Sequence, residues 1–96
     1  MDELTEAVNL ALDRVKADNG FHGTGEYHNG EAQLAKHLGI NRQMLWRLRK
    51  GQFSREFRTL MPITVMVNTP LPPGALELAQ DIRILAPLLS IPKIDA

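Results

Sequence analysis

The sequence predicts a small, mainly helical domain of about five helices with one short β-strand. Apolar residues recur at helical spacing along most of the chain, and Gly, Asn and Pro residues separate the periodic stretches. One β-branched run, residues 63–68, alternates instead, as a strand does. The chain has 96 residues and no cysteine, so we expect a single domain with a thin core and no disulfide bond.

The first helix is predicted over residues 2–18. Its apolar positions form one stripe, which consists of Leu4, Val8, Ala11, Leu12 and Val15. Asp2, Glu3 and Glu6 favour the N-terminus of this helix through the helix dipole, and Asn19-Gly20 ends it. We expect this helix to cover the back of the two that follow.

Residues 20–30 are predicted to form a loop, because four of these eleven residues are glycines. His22, Glu26 and His28 could act as metal ligands, but a metal site needs three or four ligands on firm supports. Solvated histidines are the simpler interpretation. We therefore expect neither a metal nor a cofactor.

Residues 31–51 are predicted to form two short helices joined by one sharp turn. Their apolar sets are Leu34, Ala35 and Leu38 in the first helix and Met44, Leu45 and Leu48 in the second. Gly39 ends the first helix, since glycine tolerates the left-handed conformation found just past a helix end. Ile40 fills the corner, and Asn41 can cap the second helix by accepting a backbone N–H. Ala35 is small where the two helices would touch.

The second of these helices has a polar face opposite its apolar one. Gln43, Trp46, Arg47 and Lys50 recur at positions i, i+3, i+4 and i+7, and Arg42 begins the helix. This face suits the major groove of DNA, where arginine binds guanine edges and glutamine binds adenine. Trp46 has two interpretations, because it could contact DNA or cover the edge of the core.

The two helices resemble the helix-turn-helix of the Cro/C1-type (XRE-like) phage and plasmid repressors. The match lies in the order and spacing of Leu34, Ala35, Gly39, Ile40, Leu45 and Leu48. It covers about the middle third of the chain and extends weakly to the helices on either side. The family often begins its first motif helix with a glutamine that bonds phosphate. Here Glu31 holds that place and would repel phosphate, whereas Gln33 lies two residues further on.

A fourth helix is predicted over residues 54–61, with Ser54 as its cap and Phe57, Leu60 and Met61 facing inward. Arg55 and Arg58 face outward, where they could hold phosphates beside the reading helix. Solvated surface charge is an equally good interpretation of each arginine.

Pro62 breaks the helical pattern, and residues 63–68 are predicted to form the strand, with Ile63, Val65 and Val67 on one side. A single strand has unpaired backbone groups, so we expect it to pair with its copy in a second subunit. Cro-like repressors dimerise in this way, which favours the arrangement by analogy. An intramolecular pairing or an extended connector are the alternatives.

The last helix is predicted over residues 74–85, with Leu76, Ala79, Ile82 and Leu85 on its apolar stripe and Asp81 off it. Pro87 and Pro92 should prevent regular structure after it. The tail is apolar, and we expect Leu88, Leu89 and Ile91 to lie against the domain or across a dimer. The sequence therefore predicts that residues 1–61 form the DNA-binding core. Residues 62–96 are predicted to serve packing and dimerisation within the same domain.

Charge is distributed unevenly although the net charge is zero. Residues 1–30 carry six acidic and two basic side chains, whereas residues 31–58 carry seven basic and two acidic ones. Positive charge is thus concentrated on and just after the proposed reading helix, as expected of a DNA-binding face.

These observations predict a sequence-specific regulator of transcription that binds double-stranded DNA, a dimeric repressor of phage, plasmid or bacterial origin with a palindromic operator. The predicted base contacts are Arg42, Gln43, Trp46 and Arg47; the phosphate contacts are Gln33, Lys36, Asn41, Lys50, Arg55 and Arg58; the dimer contacts are Ile63, Val65, Val67, Leu88 and Leu89. The glycine-rich loop of residues 20–30 could also touch the DNA backbone. The alternative is a protein-interaction module with the same fold, such as an antitoxin.

Other classes of function find little support. The sequence has no cysteine nucleophile, no serine in a nucleophile-elbow context and no phosphate-cradling loop, so we do not expect an enzyme. No apolar run is long enough to span a bilayer, the start of the chain is acidic, and cysteine is absent. We therefore expect a cytoplasmic protein.

Overall fold

Five α-helices form the part of the chain that the computed structural model describes, residues 2–22 and 30–89. Helix α1 spans Glu3–Asn19, α2 spans Glu31–Leu38, α3 spans Arg42–Arg49, α4 spans Arg55–Met61 and α5 spans Gln80–Leu89. A π-helical segment, Pro62–Met66, follows α4, and a 3-10 turn, Ala75–Glu77, precedes α5. The prediction of a mainly helical fold with about five helices is confirmed.

The helix ends follow the capping residues that the sequence offers. The Asp2 carboxylate accepts the backbone N–H of Thr5 at 2.7 Å and so begins α1. Gly20 ends α1 in the left-handed conformation, with φ +69°. The Ser54 hydroxyl accepts the N–H of Phe57 at 3.1 Å and begins α4. These contacts satisfy backbone groups that have no partner within their own helix.

The core lies between α1 on one side and α3, α4 and α5 on the other. Its largest fully buried side chains are Val8, Leu12, Leu34, Leu45, Leu48, Phe57, Met61, Ile82 and Leu85. Helix α1 contacts α2, α3 and α5, so it covers the back of α2 and α3 as the apolar stripe predicted. This packing leaves the opposite face of α3 to solvent.

The predicted strand at residues 63–68 is not present, and no strand occurs within residues 2–22 and 30–89. Pro62 has no N–H to continue the hydrogen bonds of α4, yet the chain stays helical and widens into the π-helical segment. Thr64 is the buried residue of this segment, and its hydroxyl donates to the Leu60 carbonyl at 3.1 Å. Alternation of β-branched residues was a misleading signal here; the segment contacts α1 and α4, and tertiary contacts of this kind can override strand propensity.

The last helix lies further along the chain than predicted. It begins at Gln80 rather than residue 74 and continues through Pro87, which was expected to end regular structure. Asp81, predicted off the apolar stripe, is buried, with only 5% of its surface exposed, whereas Leu76, predicted on the stripe, lies in the 3-10 turn and is 42% exposed. Asp81 accepts from the N–H and the hydroxyl of Ser54, at 2.7 and 2.9 Å, and this contact joins α5 to the start of α4.

Three predictions fall wholly or partly on residues outside the described ranges. They concern the glycine-rich loop of residues 20–30, the possible metal ligands Glu26 and His28 within it, and Ile91 of the tail. Leu88 and Leu89, at the end of α5, pack partly buried against the core of their own chain. None of the described helices has the length and apolar character needed to cross a membrane.

Candidate nucleic-acid interface

The turn between α2 and α3 has the conformation that the sequence predicted. Gly39 is left-handed, with φ +75°, and the Ile40 N–H donates to the Ala35 carbonyl at 3.0 Å. Asn41 is extended, and its side-chain oxygen accepts the N–H of Met44 at 2.7 Å, which begins α3. Ala35 is only 2% exposed where the helices meet. The two helices therefore form a compact helix-turn-helix.

One face of α3 and its C-terminal end is open to solvent and carries the predicted base-reading residues. The exposed side chains are Arg42, Gln43, Trp46, Arg47 and Lys50. Trp46 is 54% exposed, so it lies on the outer face rather than in the core. The Lys50 ammonium lies 5.4 Å from the centre of the Trp46 ring, a cation–π contact that orients the indole on this face.

The other side of α3 is tied to α1 and α2 through Arg49. Its guanidinium donates to Glu31 at 2.7 and 3.1 Å and to Asp13 at 2.9 Å. Asn9 accepts from the same guanidinium at 2.9 Å and donates to the Arg49 carbonyl at 3.0 Å. Lys16 donates to Glu31 at 3.0 Å and completes the cluster. The side chains of Arg49 and Glu31 are 18% and 22% exposed, so water screens this pairing only in part.

Both central groups of this cluster are held in their charged forms. Burial alone would raise the pKa of the Glu31 carboxyl, but hydrogen bonds from Arg49 and Lys16 lower that pKa below its usual value. Burial likewise opposes the charge on Arg49, and its hydrogen bonds to Glu31 and Asp13 raise the pKa of the guanidinium. Glu31 therefore acts inside the protein as a counterion of Arg49. Sequence reasoning missed this role, because Asn9, Lys16 and Arg49 are far apart in the chain.

The predicted phosphate contacts differ in how they are placed. Lys36, Asn41, Lys50 and Arg55 are exposed, as is Gln33 on α2. Arg58 is exposed too, but its guanidinium donates to the Gly51 carbonyl and lies 5.7 Å from the Phe53 ring. It therefore braces the end of α3, a role that the sequence did not indicate.

Apart from Arg49, the cations of α3 are engaged in no ion pair among the described residues. The sequence contains no Asp or Glu between Glu31 and Glu56. Of the ion pairs within residues 2–22 and 30–89, all involve Arg49 or Lys16. In that part of the chain, Arg42, Arg47 and Lys36 form no ion pair, and their exposed cationic groups face any ligand that approaches α3.

A polar groove lies beside α3 and reaches the first residue of α5. Its volume is about 350 Å³. It is lined by Ile40 and Met44 and by the polar side chains Asn41, Gln43, Arg47 and Gln80. Gln80 was not among the predicted site residues, because its proximity to α3 depends on how α5 packs.

The predicted dimer contacts are not brought together by a strand. Ile63 is 51% and Val67 is 67% exposed, whereas Val65 is half-buried and packs against the core. Further exposed apolar side chains are Leu10, Met66, Leu76 and Leu78. Among the described residues, no group of three or more His, Asp or Glu side chains is arranged to hold a metal ion.

Comparisons of the chain with protein-family models, with curated proteins and with solved structures return no match.

Proposed function

We propose that this protein binds double-stranded DNA sequence-specifically and acts as a dimeric transcriptional repressor. The observation that carries the proposal is the exposed face of α3, where Arg42, Gln43, Trp46, Arg47 and Lys50 lie together and form no ion pair with another described residue. The sequence resemblance to Cro/C1-type repressors supports repression as the outcome of binding. Repression follows when the bound site overlaps a promoter.

The chemistry of base reading follows from these side chains. Arg42 and Arg47 each offer a planar fork that can bond the O6 and N7 atoms of guanine, and Gln43 can bond adenine in a similar way. Trp46 offers an apolar surface for a thymine methyl group or a deoxyribose. Each good bidentate pair discriminates against the wrong base by about 1–3 kcal/mol.

Sequence-specific contacts with bases also require that α3 is held rigidly against the rest of the domain. Leu45 and Leu48 are buried on the back of α3, and the cluster around Arg49 fixes its C-terminal end to α1 and α2. Side chains on such a supported helix lose less freedom when they bind. Phosphate contacts from Lys36, Lys50 and Arg55 would then set the register on the duplex without reading sequence.

A dimer would place two α3 helices in successive major grooves, about 34 Å apart, on a palindromic operator. A ribbon of paired strands cannot join the two subunits, because residues 62–66 are helical. The exposed Ile63, Met66 and Val67 offer an apolar surface that a second copy could cover.

The test is selection of duplexes from a random library by the purified protein, followed by sequencing. We expect enrichment of a palindrome whose half-sites lie one helical turn apart. Enrichment of single half-sites would keep sequence-specific binding and reject the dimer. Weak, salt-sensitive retention without enrichment would reject base reading by α3.

The second candidate function is a protein-interaction module such as an antitoxin. The exposed apolar residues outside α3, Leu76 and Leu78 among them, favour it. The two roles are compatible, since one surface could bind DNA and another a protein. A variant that carries both Arg42→Ala and Arg47→Ala separates them: it should lose DNA binding and leave binding to a protein partner unchanged.

A further inference from the structure

The described residues that line the groove beside α3 offer hydrogen-bond donors and no carboxylate. Arg47 and Gln80 are exposed, and within the described residues no hydrogen bond or ion pair engages either side chain. Asp81 follows Gln80 directly, but it is turned inward and its two carboxylate oxygens are occupied by Ser54. A groove with free amide and guanidinium N–H groups and no competing anion is suited to a negatively charged ligand.

The position of the groove indicates which anion it receives. Gln43 and Arg47 belong both to the base-reading face of α3 and to the groove wall. A duplex read by α3 carries its sugar–phosphate strands along both edges of the major groove, so phosphates lie beside the bases that α3 contacts. A volume of about 350 Å³ leaves ample room for one phosphodiester group.

We infer that this groove holds one backbone phosphate of the bound DNA, and that Gln80 donates a hydrogen bond to it. The inference rests on the proposed function and extends the DNA-binding surface to α5. It gives the C-terminal part of the chain a direct contact with DNA, in addition to packing. Gln80 then contributes affinity on every sequence, because a phosphate carries no base identity.

A lysine at position 80 tests this placement through salt dependence. In the full chain, Gln80→Lys should add one cation–phosphate contact and steepen the slope of log affinity against log salt by about 0.9. Ala17→Lys is the matched control. Ala17 is exposed on α1, and a lysine at this position adds the same charge away from the groove. Its slope should equal that of the wild-type protein.

Removal of the amide gives the complementary measurement. Gln80→Ala should weaken binding about tenfold, the usual order for a hydrogen bond to a charged group, and equally on selected and unrelated duplexes. Ethylation interference on the selected duplex should show one phosphate per half-site that is required by the wild-type protein but not by Gln80→Ala. All other required phosphates should remain.

The outcomes separate this inference from the proposed function. If the wild-type protein selects a duplex but Gln80→Lys leaves the salt slope unchanged and Gln80→Ala leaves the ethylation pattern unchanged, the groove does not hold a phosphate. If the wild-type protein retains no duplex, base reading by α3 is rejected, and this inference is rejected too because it rests on that function. Binding of a polyglutamate peptide in place of DNA would assign the groove to an acidic protein partner instead.

Discussion

Arg47 has the most exacting role among the proposed contacts, because it lies on both the base-reading face of α3 and the wall of the groove. Arg47→Ala should lower affinity for the selected duplex by about 1–3 kcal/mol and relax the preference at one base pair. Fluorescence anisotropy titrations against that duplex and its single-base variants would measure both effects. Arg14→Ala, an exposed arginine on α1, is the control and should change neither. An equal loss on every duplex would mean that Arg47 contacts only phosphate.

Two glycines of the motif region differ in what surrounds them. Both are left-handed, Gly39 with φ +75° and Gly51 with φ +80°. A Cβ at Gly51 would lie 2.5 Å from the Thr5 hydroxyl, whereas a Cβ at Gly39 would meet nothing within 4 Å. Gly39→Ala should therefore cost about 1–2 kcal/mol of unfolding free energy for the left-handed conformation alone. Gly51→Ala should cost about 1–3 kcal/mol more for overpacking.

Urea unfolding of the two glycine variants would measure that difference. Thr5→Ala in the Gly51→Ala background should recover part of the lost unfolding free energy, because it removes the Thr5 hydroxyl and methyl groups, the two that the new Cβ approaches most closely. Equal losses at the two positions would contradict the close approach between α1 and the end of α3.

At the level of elements, the helix-turn-helix was predictable because its determinants are local. Gly39 and Asn41 each act on backbone groups within a few residues of themselves, so their types and spacing were sufficient. The π-helical segment was not predictable in this way. Its sequence alternates as a strand would, whereas Thr64 is buried and the segment contacts α1 and α4, and periodicity does not contain those contacts.

The residues of the candidate site also differ in whether local sequence could predict their roles. The outer face of α3 followed from helical spacing within one helix. The partners of Arg49 did not, since Asn9 lies 40 residues away from it in the sequence. The same applies to Arg58 at the end of α3 and to Gln80 at the groove, whose roles arise only when α4 and α5 pack against the motif.

The ion pair between Glu31 and Arg49 predicts how the packing of α1, α2 and α3 responds to pH. The pKa of Glu31 is lower in the folded protein than its usual value of 4.5, so between these two values the unfolded chain binds more protons. The stability contributed by Glu31 is thus complete above about pH 4.5 and is lost as the pH falls through the folded pKa. Glu31→Gln should lower the unfolding free energy at pH 7 by about 1–3 kcal/mol and flatten its decline in acid.

Urea unfolding of wild-type and Glu31→Gln proteins between pH 3 and pH 7 would measure this linkage. Hydrogen bonds that Asp2 accepts from Thr5 also lower the pKa of the Asp2 carboxyl, so some acid sensitivity should remain in the variant. Glu77→Gln, at an exposed position in the 3-10 turn, is the control. Parallel curves for the wild-type and Glu31→Gln proteins would contradict a stabilising role for this pair.

At the scale of the whole molecule, the dimensions of the chain are compatible with two copies on one duplex. Its principal extents are 41 × 30 × 25 Å. Two copies placed side by side can therefore bring their α3 helices close to the 34 Å that separates successive major grooves. The acidic outer side of α1 and the basic side of α3 would then orient each copy with α3 toward the phosphates.

The surface that joins two such copies can be tested with two residues of equal exposure. Val67, after the π-helical segment, and Leu10, on α1, are each 67% exposed. If Ile63, Met66 and Val67 form the dimer surface, Val67→Glu buries two like charges and should shift the mass in light scattering from dimer to monomer. Leu10→Glu should leave a dimer, since it adds the same charge on α1. Dissociation by Leu10→Glu alone would place the interface on α1, and an unchanged dimer in both variants would exclude both surfaces.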